Sequence, residues 1–321
     1  MHESRGLGDV YKRQADVAMP ESSILLASNL MEAYNIAEHH RPDCIMLASE
    51  LAARPDFELL GYLLKQLGIG CVIWGGRKKI LAPFGSSSMH YFDPMGPKNT
   101  LKNVILLATR TRPIEDQRYS FGRQSVAYDP RHILLIGAST GGVDALAKIL
   151  SHFNKETPST LVVQHTGGRF VKSLIRLLDS GTDATVQPAL HDALLKPGTV
   201  YLAPDDSQHL GVSDICGQRI ALTAAEPMSG HRPSVDVLFQ SAVGHGRHVT
   251  AALLTGMGQD GARGLKALRE AGAHTIAQDQ ATSVVYGMPR IATEIDAAVE
   301  QLPLAEIGPA MLNAARLKAR A

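Results

Sequence analysis

Three stretches of this sequence put reactive side chains where a backbone turn would expose them. Gly137-Ala-Ser139-Thr-Gly141 fits G-x-S-x-G and directly follows the apolar run His132-Ile-Leu-Leu-Ile-Gly-Ala. Its glycines permit a sharp turn that lifts a serine hydroxyl above a sheet, although Gly-Ser-Thr clusters also serve phosphate binding or a plain structural turn. Gln164-His165-Thr166-Gly-Gly closes a second apolar run and sets an imidazole at its end, where packing is the commonest role of a lone histidine. Gly256-Met257-Gly258-Gln-Asp260-Gly261 follows a third and brings a carboxylate to the start of a helix, where Asp ordinarily serves as an N-cap. Together they supply an acyl-transfer triad: Ser139 as nucleophile, His165 as general base, and Asp260 to fix the imidazole tautomer. The amides of Thr140, at a helix N-terminus, and of Met257, in the Gly-rich turn, are the oxyanion-hole candidates. The chain order Ser, His, Asp differs from the Ser, Asp, His of α/β-hydrolases, but such roles are decided by geometry.

The elements that must position these residues are legible as alternating strands and helices. Residues 132–138, 160–164, 200–203, 220–223, 249–255 and 275–278 read as strands, and 143–150, 170–178, 234–243 and 262–271 as helices. Strands alternating with helices predict an α/β fold, doubly wound on a mainly parallel sheet, with ligands bound beyond the carboxyl ends of the strands. A similar but shorter alternation precedes it: strands at 23–27, 43–47 and 71–74, helices at 32–39 and 57–66. Between them residues 109–130 turn polar and irregular, as a linker does. Two domains follow, 22–108 and 131–321. Residues 1–14 (MHESRGLGDVYKRQ) have no periodicity, and their end resembles the translation of a transposon-end adapter used in DNA library preparation. That segment is expected to be an artefact, with a natural tail as the alternative, and is set aside from the fold.

Composition narrows the classes. The 321 residues carry 32 Lys+Arg against 31 Asp+Glu, a net charge of +1, which gives no field to favour nucleic acid or an anionic membrane. Cys44, Cys71 and Cys216 lie far apart with no C-x-x-C, so neither a disulfide framework nor a zinc knuckle is expected, and a cytoplasmic location is. With no apolar run of about 18 residues, membrane insertion is not expected either.

Several longer strings make the second part resemble the CheB-type chemotaxis methylesterases, the protein-glutamate methylesterase/protein-glutamine glutaminases. They are IGASTGG (136–142), QH (164–165), VYLAP (200–204), HRPSVDVLF (231–239), LLTGMGQDGARG (253–264) and AQDQATSVVYGMPR (277–290), within a match of roughly residues 131–312. The resemblance implies a cytoplasmic serine hydrolase acting on methylated chemoreceptor helices. It assigns the triad to Ser139, His165 and Asp260 and an oxyanion donor to the Met257 amide, and needs no metal or organic cofactor. One departure is Thr166-Gly-Gly after QH, where many members have Met-Pro-Pro. Arg232 in HRPSVD is a candidate for binding an acidic side chain of the substrate, or equally a structural ion pair. His209 is expected to be structural.

The resemblance also implies a partial, flavodoxin-like receiver domain in front. Pro42-Asp-Cys-Ile-Met-Leu-Ala48-Ser-Glu50 resembles the receiver stretch P-D-x-I-x-L-D-x-E with Ala48 at the phospho-accepting position. Tyr91-Phe-Asp93-Pro94 resembles Tyr-x-x-Lys-Pro with Asp93 replacing the lysine. Phosphoryl transfer to a protein of this kind needs that carboxylate and that cation, so the domain reads as degenerate, and regulation is expected through a partner binding it or through removal of its steric cover over Ser139. Two rival readings remain. Gly256-x-Gly258-x-x-Gly261 with Asp279 some 18 residues on has the spacing of a dinucleotide fingerprint, but it stands too near the end of the chain for two nucleotide-binding halves. A non-catalytic receptor-binding scaffold is the other, against which the complete Ser139, His165 and Asp260 set speaks.

Overall fold

The structure is a computed structural model that describes residues 14–75, 89–95, 99–110, 127–213 and 218–317. Residues 1–13, most of the expected linker (111–126) and Cys216 lie outside the described residues. The chain divides into two compact units, Met1–Gln117 and Arg118–Ala321.

In the first unit, helix α1 (Leu30–His40) starts at Asn29, whose side chain accepts from the Glu32 amide, and stops at Arg41 in the left-handed region. Strand β1 (Cys44–Ala48), helix α2 (Phe57–Leu67), β2 (Gly70–Trp74), β3 (Met89–Phe92) and α3 (Asn99–Ala108) follow, and the strands form a parallel sheet in the order β1-β2-β3. The strand expected at 23–27 is not formed. Leu25 and Leu26 are half exposed and no neighbouring strand pairs with them, so the alternation there has no face to bury.

The second unit holds β4 (Ile133–Ala138), α4 (Gly142–Leu150), β5 (Ser159–Gln164), α5 (Val171–Ser180), β6 (Thr185–Pro188), β7 (Thr199–Leu202), β8 (His209–Val212), β9 (Ile220–Thr223), α6 (Val235–Ser241), β10 (Val249–Leu253), α7 (Ala262–Glu270), β11 (His274–Gln278), α8 (Met288–Glu294), β12 (Glu300–Leu302) and α9 (Leu304–Ala314). Seven of these strands form one parallel sheet, ordered β12-β11-β10-β4-β5-β7-β6, while β8 and β9 make a separate antiparallel pair. Every residue of β4, β5 and β10 is buried, as expected of strands covered on both faces by helices. This explains their mostly apolar composition, with Ser159, Thr160, Gln164 and Thr250 as buried polar exceptions. The short strands β6, β8 and β12 carry weaker patterns, with polar or Pro-containing stretches, and were not expected.

The order reverses at β4: β5 lies on one side of it and β10 on the other. That switch point is where a doubly wound sheet opens a crevice beyond its carboxyl ends. One contact fixes how tightly α6 covers it. A methyl group added to Gly137, at the end of β4, would fall 2.1 Å from Val235 Cγ1 at the start of α6. Gly137→Ala should therefore push α6 away and destabilise the unit by roughly 1–3 kcal/mol, the usual cost of overpacking, read as a lower denaturation midpoint at unchanged slope.

Candidate active site

Ser139, His165 and the Gly256–Gly261 loop lie one residue or a few past the ends of β4, β5 and β10, the three adjacent strands at the switch point. Ala138 and Gln164 are paired in register, and the His165 amide donates to the Ala138 carbonyl at 3.0 Å, so Ser139 and His165 leave the sheet side by side. The Ser139 carbonyl accepts from the Gly142 amide (2.8 Å), with Gly141 at φ 84° and ψ 0°: a type II turn, which requires a glycine there. The Gln164 amide group donates to the same carbonyl at 2.9 Å. On the other side the Ser139 amide donates to the Thr255 carbonyl (3.0 Å), and the Thr255 hydroxyl donates to the Thr140 carbonyl (2.8 Å). The nucleophile turn is held from both neighbouring strands, with Ser139 only 9 % exposed.

The His165 imidazole and the Asp260 carboxylate meet directly. His165 Nε2 lies 2.9 Å from Asp260 Oδ2. Since an ionised carboxylate only accepts, Nε2 carries the proton and the lone pair is on Nδ1. Nδ1 is buried and has no hydrogen-bond partner among the described residues, the Ser139 hydroxyl included. It is the nitrogen left to take a serine proton.

Asp260 is 1 % exposed and accepts on both oxygens: Oδ1 from the Ser234 hydroxyl (2.7 Å) and the Asp236 amide (3.0 Å), Oδ2 from the Val235 amide (2.8 Å) and His165. Burial alone would raise its pKa. The bonds from His165, Ser234 and the two amides outweigh it and hold the carboxyl below the ordinary range. The N-cap expectation needs a correction in detail. Asp260 does not cap its own helix α7, which begins at Gly261 without a side-chain cap, but the start of α6. The arrangement is reciprocal, because Asp236 on α6 accepts from the Gly264 amide in the first turn of α7 (2.7 Å). Burial and the nearby Asp260 charge raise the Asp236 pKa.

Met257, with its side chain 66 % exposed, occupies the turn against the serine: a methyl on Gly256 would fall 2.7 Å from Ser139 Cβ. Neither the Thr140 nor the Met257 amide donates to a protein acceptor among the described residues. The Gly-rich turn is thus engaged with Ser139, and Asp279 accepts from the Thr282 amide (3.0 Å) in a local turn, which leaves the dinucleotide spacing without a cradle. Arg232 spans two carbonyls, Asp206 through Nε and Ala225 through Nη1, both at 3.0 Å. His209, 1 % exposed, accepts from the Ser234 amide and faces the Glu226 carbonyl, a structural role as expected. Among the described residues no three His, Cys, Asp or Glu side chains converge as a metal site. The sequence reading missed Asp236, Thr255, Gln164 and His231, whose ring stacks on His165 with centroids 3.9 Å apart. All four sat in the quoted QH, HRPSVDVLF and LLTGMGQDGARG strings, but no spacing rule singles them out.

Comparison with known proteins gives a consistent set. The family model described as CheB methylesterase matches residues 134–311. A protein-glutamate methylesterase/protein-glutamine glutaminase of Agrobacterium fabrum is 42 % identical over 92 % of this chain and 90 % of its own length. One from Caulobacter vibrioides is 49 % identical over 57 % of this chain, and there the alignment spans about half (54 %) of the relative. Among solved structures, the Thermotoga maritima CheB methylesterase catalytic domain superposes with TM-score 0.55 at 36 % identity, covering 57 % of this chain and 97 % of that one.

Because the Asp260 pKa is lowered on folding, its contribution to stability is present above the unfolded-state value of about 4 and is lost as pH falls through the folded value. Asp260→Asn should cost roughly 2–3 kcal/mol at pH 7, and the gap to wild type should narrow below about pH 4 in urea unfolding. A pH-independent gap would contradict the ionised, four-bond carboxylate.

Proposed function

The chain belongs to the CheB methylesterase family, and on that footing we propose that it hydrolyses methyl esters of glutamate side chains on chemoreceptor helices through Ser139, His165 and Asp260. The observation that carries the reading is the imidazole of His165, tied through Nε2–H to a buried carboxylate while its Nδ1 lone pair sits buried and unpartnered at the strand end beside Ser139. The Ser139 hydroxyl attacks the ester carbonyl and its proton passes to Nδ1. The amides of Met257 and Thr140 receive the oxyanion. The C–O bond to the methoxy group then breaks, His165 returns the proton, and methanol leaves. Water attacks the acyl-serine, giving its proton to His165; the ester to Ser139 breaks, and glutamate and free serine are restored. A glutamine side chain follows the same course with ammonia as leaving group. Arg232, already bonded to two carbonyls, is assigned an acidic substrate side chain as a further partner.

Since triad members act as a unit, Ser139→Ala, His165→Ala and the double variant should each lose methanol release from methylated receptor by a similar several orders of magnitude. EDTA should leave the wild type unaffected. Additive losses, or inhibition by the chelator, would count against the mechanism.

We propose further that the first unit is a degenerate receiver that does not switch the enzyme by phosphorylation. Ala48 ends β1 and Asp93 follows β3, with Asp93 accepting from the Met95 amide at 2.9 Å. Ala48 supplies no acceptor carboxylate and Asp93 no opposing cation at those positions, so regulation is assigned to a signalling protein that binds this unit. Incubation with acetyl phosphate and Mg²⁺ should change neither mass nor ester turnover; an acid-labile phosphate with faster hydrolysis would refute this.

A further inference from the structure

The ring of His231 lies face to face on that of His165, with centroids 3.9 Å apart and planes within 7°. Nothing in the triad chemistry requires a second imidazole there, yet the loop carrying it is built with unusual care. Residues 228–231 form a two-residue hairpin, closed by Met228 N–H to His231 O (3.0 Å) and His231 N–H to Met228 O (2.9 Å). Ser229 and Gly230 both have positive φ, 54° and 81°, as a type I′ turn demands. The arms are fastened outside the hairpin. Arg232 bridges the Asp206 and Ala225 carbonyls, His209 faces the Glu226 carbonyl at 3.0 Å and accepts from the Ser234 amide at 3.1 Å, and the Ser229 hydroxyl reaches Asp236 at 3.3 Å. From Ser234 the chain runs straight into the cap that holds Asp260. One rigid loop therefore ends in the carboxylate at the edge of the His165 ring and in a flat aromatic surface on its face.

We propose that His231 is a positioning residue for the general base: its ring fixes the plane of the His165 imidazole, which the single hydrogen bond to Asp260 leaves free to rock. A bond to one nitrogen sets the direction of a ring but not its rotation about that axis, and Nδ1 swings through that rotation. A stacked ring removes the freedom at little entropic cost, because the hairpin is closed by its own backbone hydrogen bonds. It also suits a base that becomes cationic during turnover. Burial, and next the His165 ring, lower the pKa of His231 against a smaller opposite effect of Asp260, so it presents a neutral face to the imidazolium.

This inference rests on the esterase reading only for its kinetic arm, and an NMR arm stands apart from it. In the full chain, the ring protons of His165, assigned by their loss in His165→Gln, should resonate upfield because of the stacked ring. His231→Ala should return them to ordinary positions; His231→Phe, which keeps an aromatic face without a nitrogen, should not. On methylated receptor His231→Ala should lower kcat about tenfold with KM within twofold, and His231→Phe should recover most of it. His165 signals unchanged in all three proteins would overturn the stack. A shift lost in His231→Ala with kcat unchanged, or equal kcat losses in the Ala and Phe variants, would overturn the positioning role. A wild-type chain with the upfield signals but no ester turnover would overturn the esterase reading, and the positioning role with it, while leaving the stack in place.

Discussion

The buried carboxylate of Asp260 is the constraint on which the rest of the site depends. Removing an anion from water costs several kcal/mol even after relaxation, and that cost is met here by four donors aimed at two oxygens. Two of those donors are the first amides of α6, groups that every helix leaves unsatisfied, so the charge also faces the positive end of a helix dipole. The fourth is His165. One group thus caps the start of a helix and orients an imidazole, and neither task can be changed without the other. Asp236 returns the same service to α7, and the pair of interlocked caps ties α6 directly to α7.

Two carboxyl groups in one buried cluster are shifted in opposite directions. Asp260, rich in donors, is held below the ordinary range, while Asp236 is pushed upward by burial and by its charged neighbour. Such divergence is how an environment divides roles between chemically identical side chains. Around them Thr255 acts as a knot, its amide donating to the Gln278 side chain (2.8 Å), its carbonyl accepting from Ser139 and its hydroxyl accepting from the Val285 amide (2.9 Å). The serine turn, the Gly-rich turn and the 278–285 segment are in this way held by one residue.

The first unit follows the same α/β logic on a smaller scale, with a three-stranded parallel sheet and short connecting helices. Its strand ends carry Ala48 and Asp93. With no carboxylate at the first position and no cation at the second, the role proposed for this unit is binding rather than phosphoryl chemistry.

The sequence by itself determined the α/β class of the second unit, because strands buried on both faces need apolar centres and β4, β5 and β10 have them, with Ser159, Thr160, Gln164 and Thr250 the polar exceptions. It also determined which side chains stand at the strand ends, since Gly-Ser, Gln-His and Gly-Met-Gly breaks directly follow those runs. It misplaced a strand at 23–27, where periodicity existed without a partner, and it was silent about β6, β8 and β12, whose short, partly polar stretches give no period to read. Only the tertiary structure decided that Asp260 caps a helix some two dozen residues before it, that Nε2 rather than Nδ1 of His165 carries the proton, and that His231 covers the ring. These facts depend on contacts between segments 25 to 95 residues apart along the chain. Local propensity carries no information about such pairs, because their energies appear only when strand order has brought the loops together.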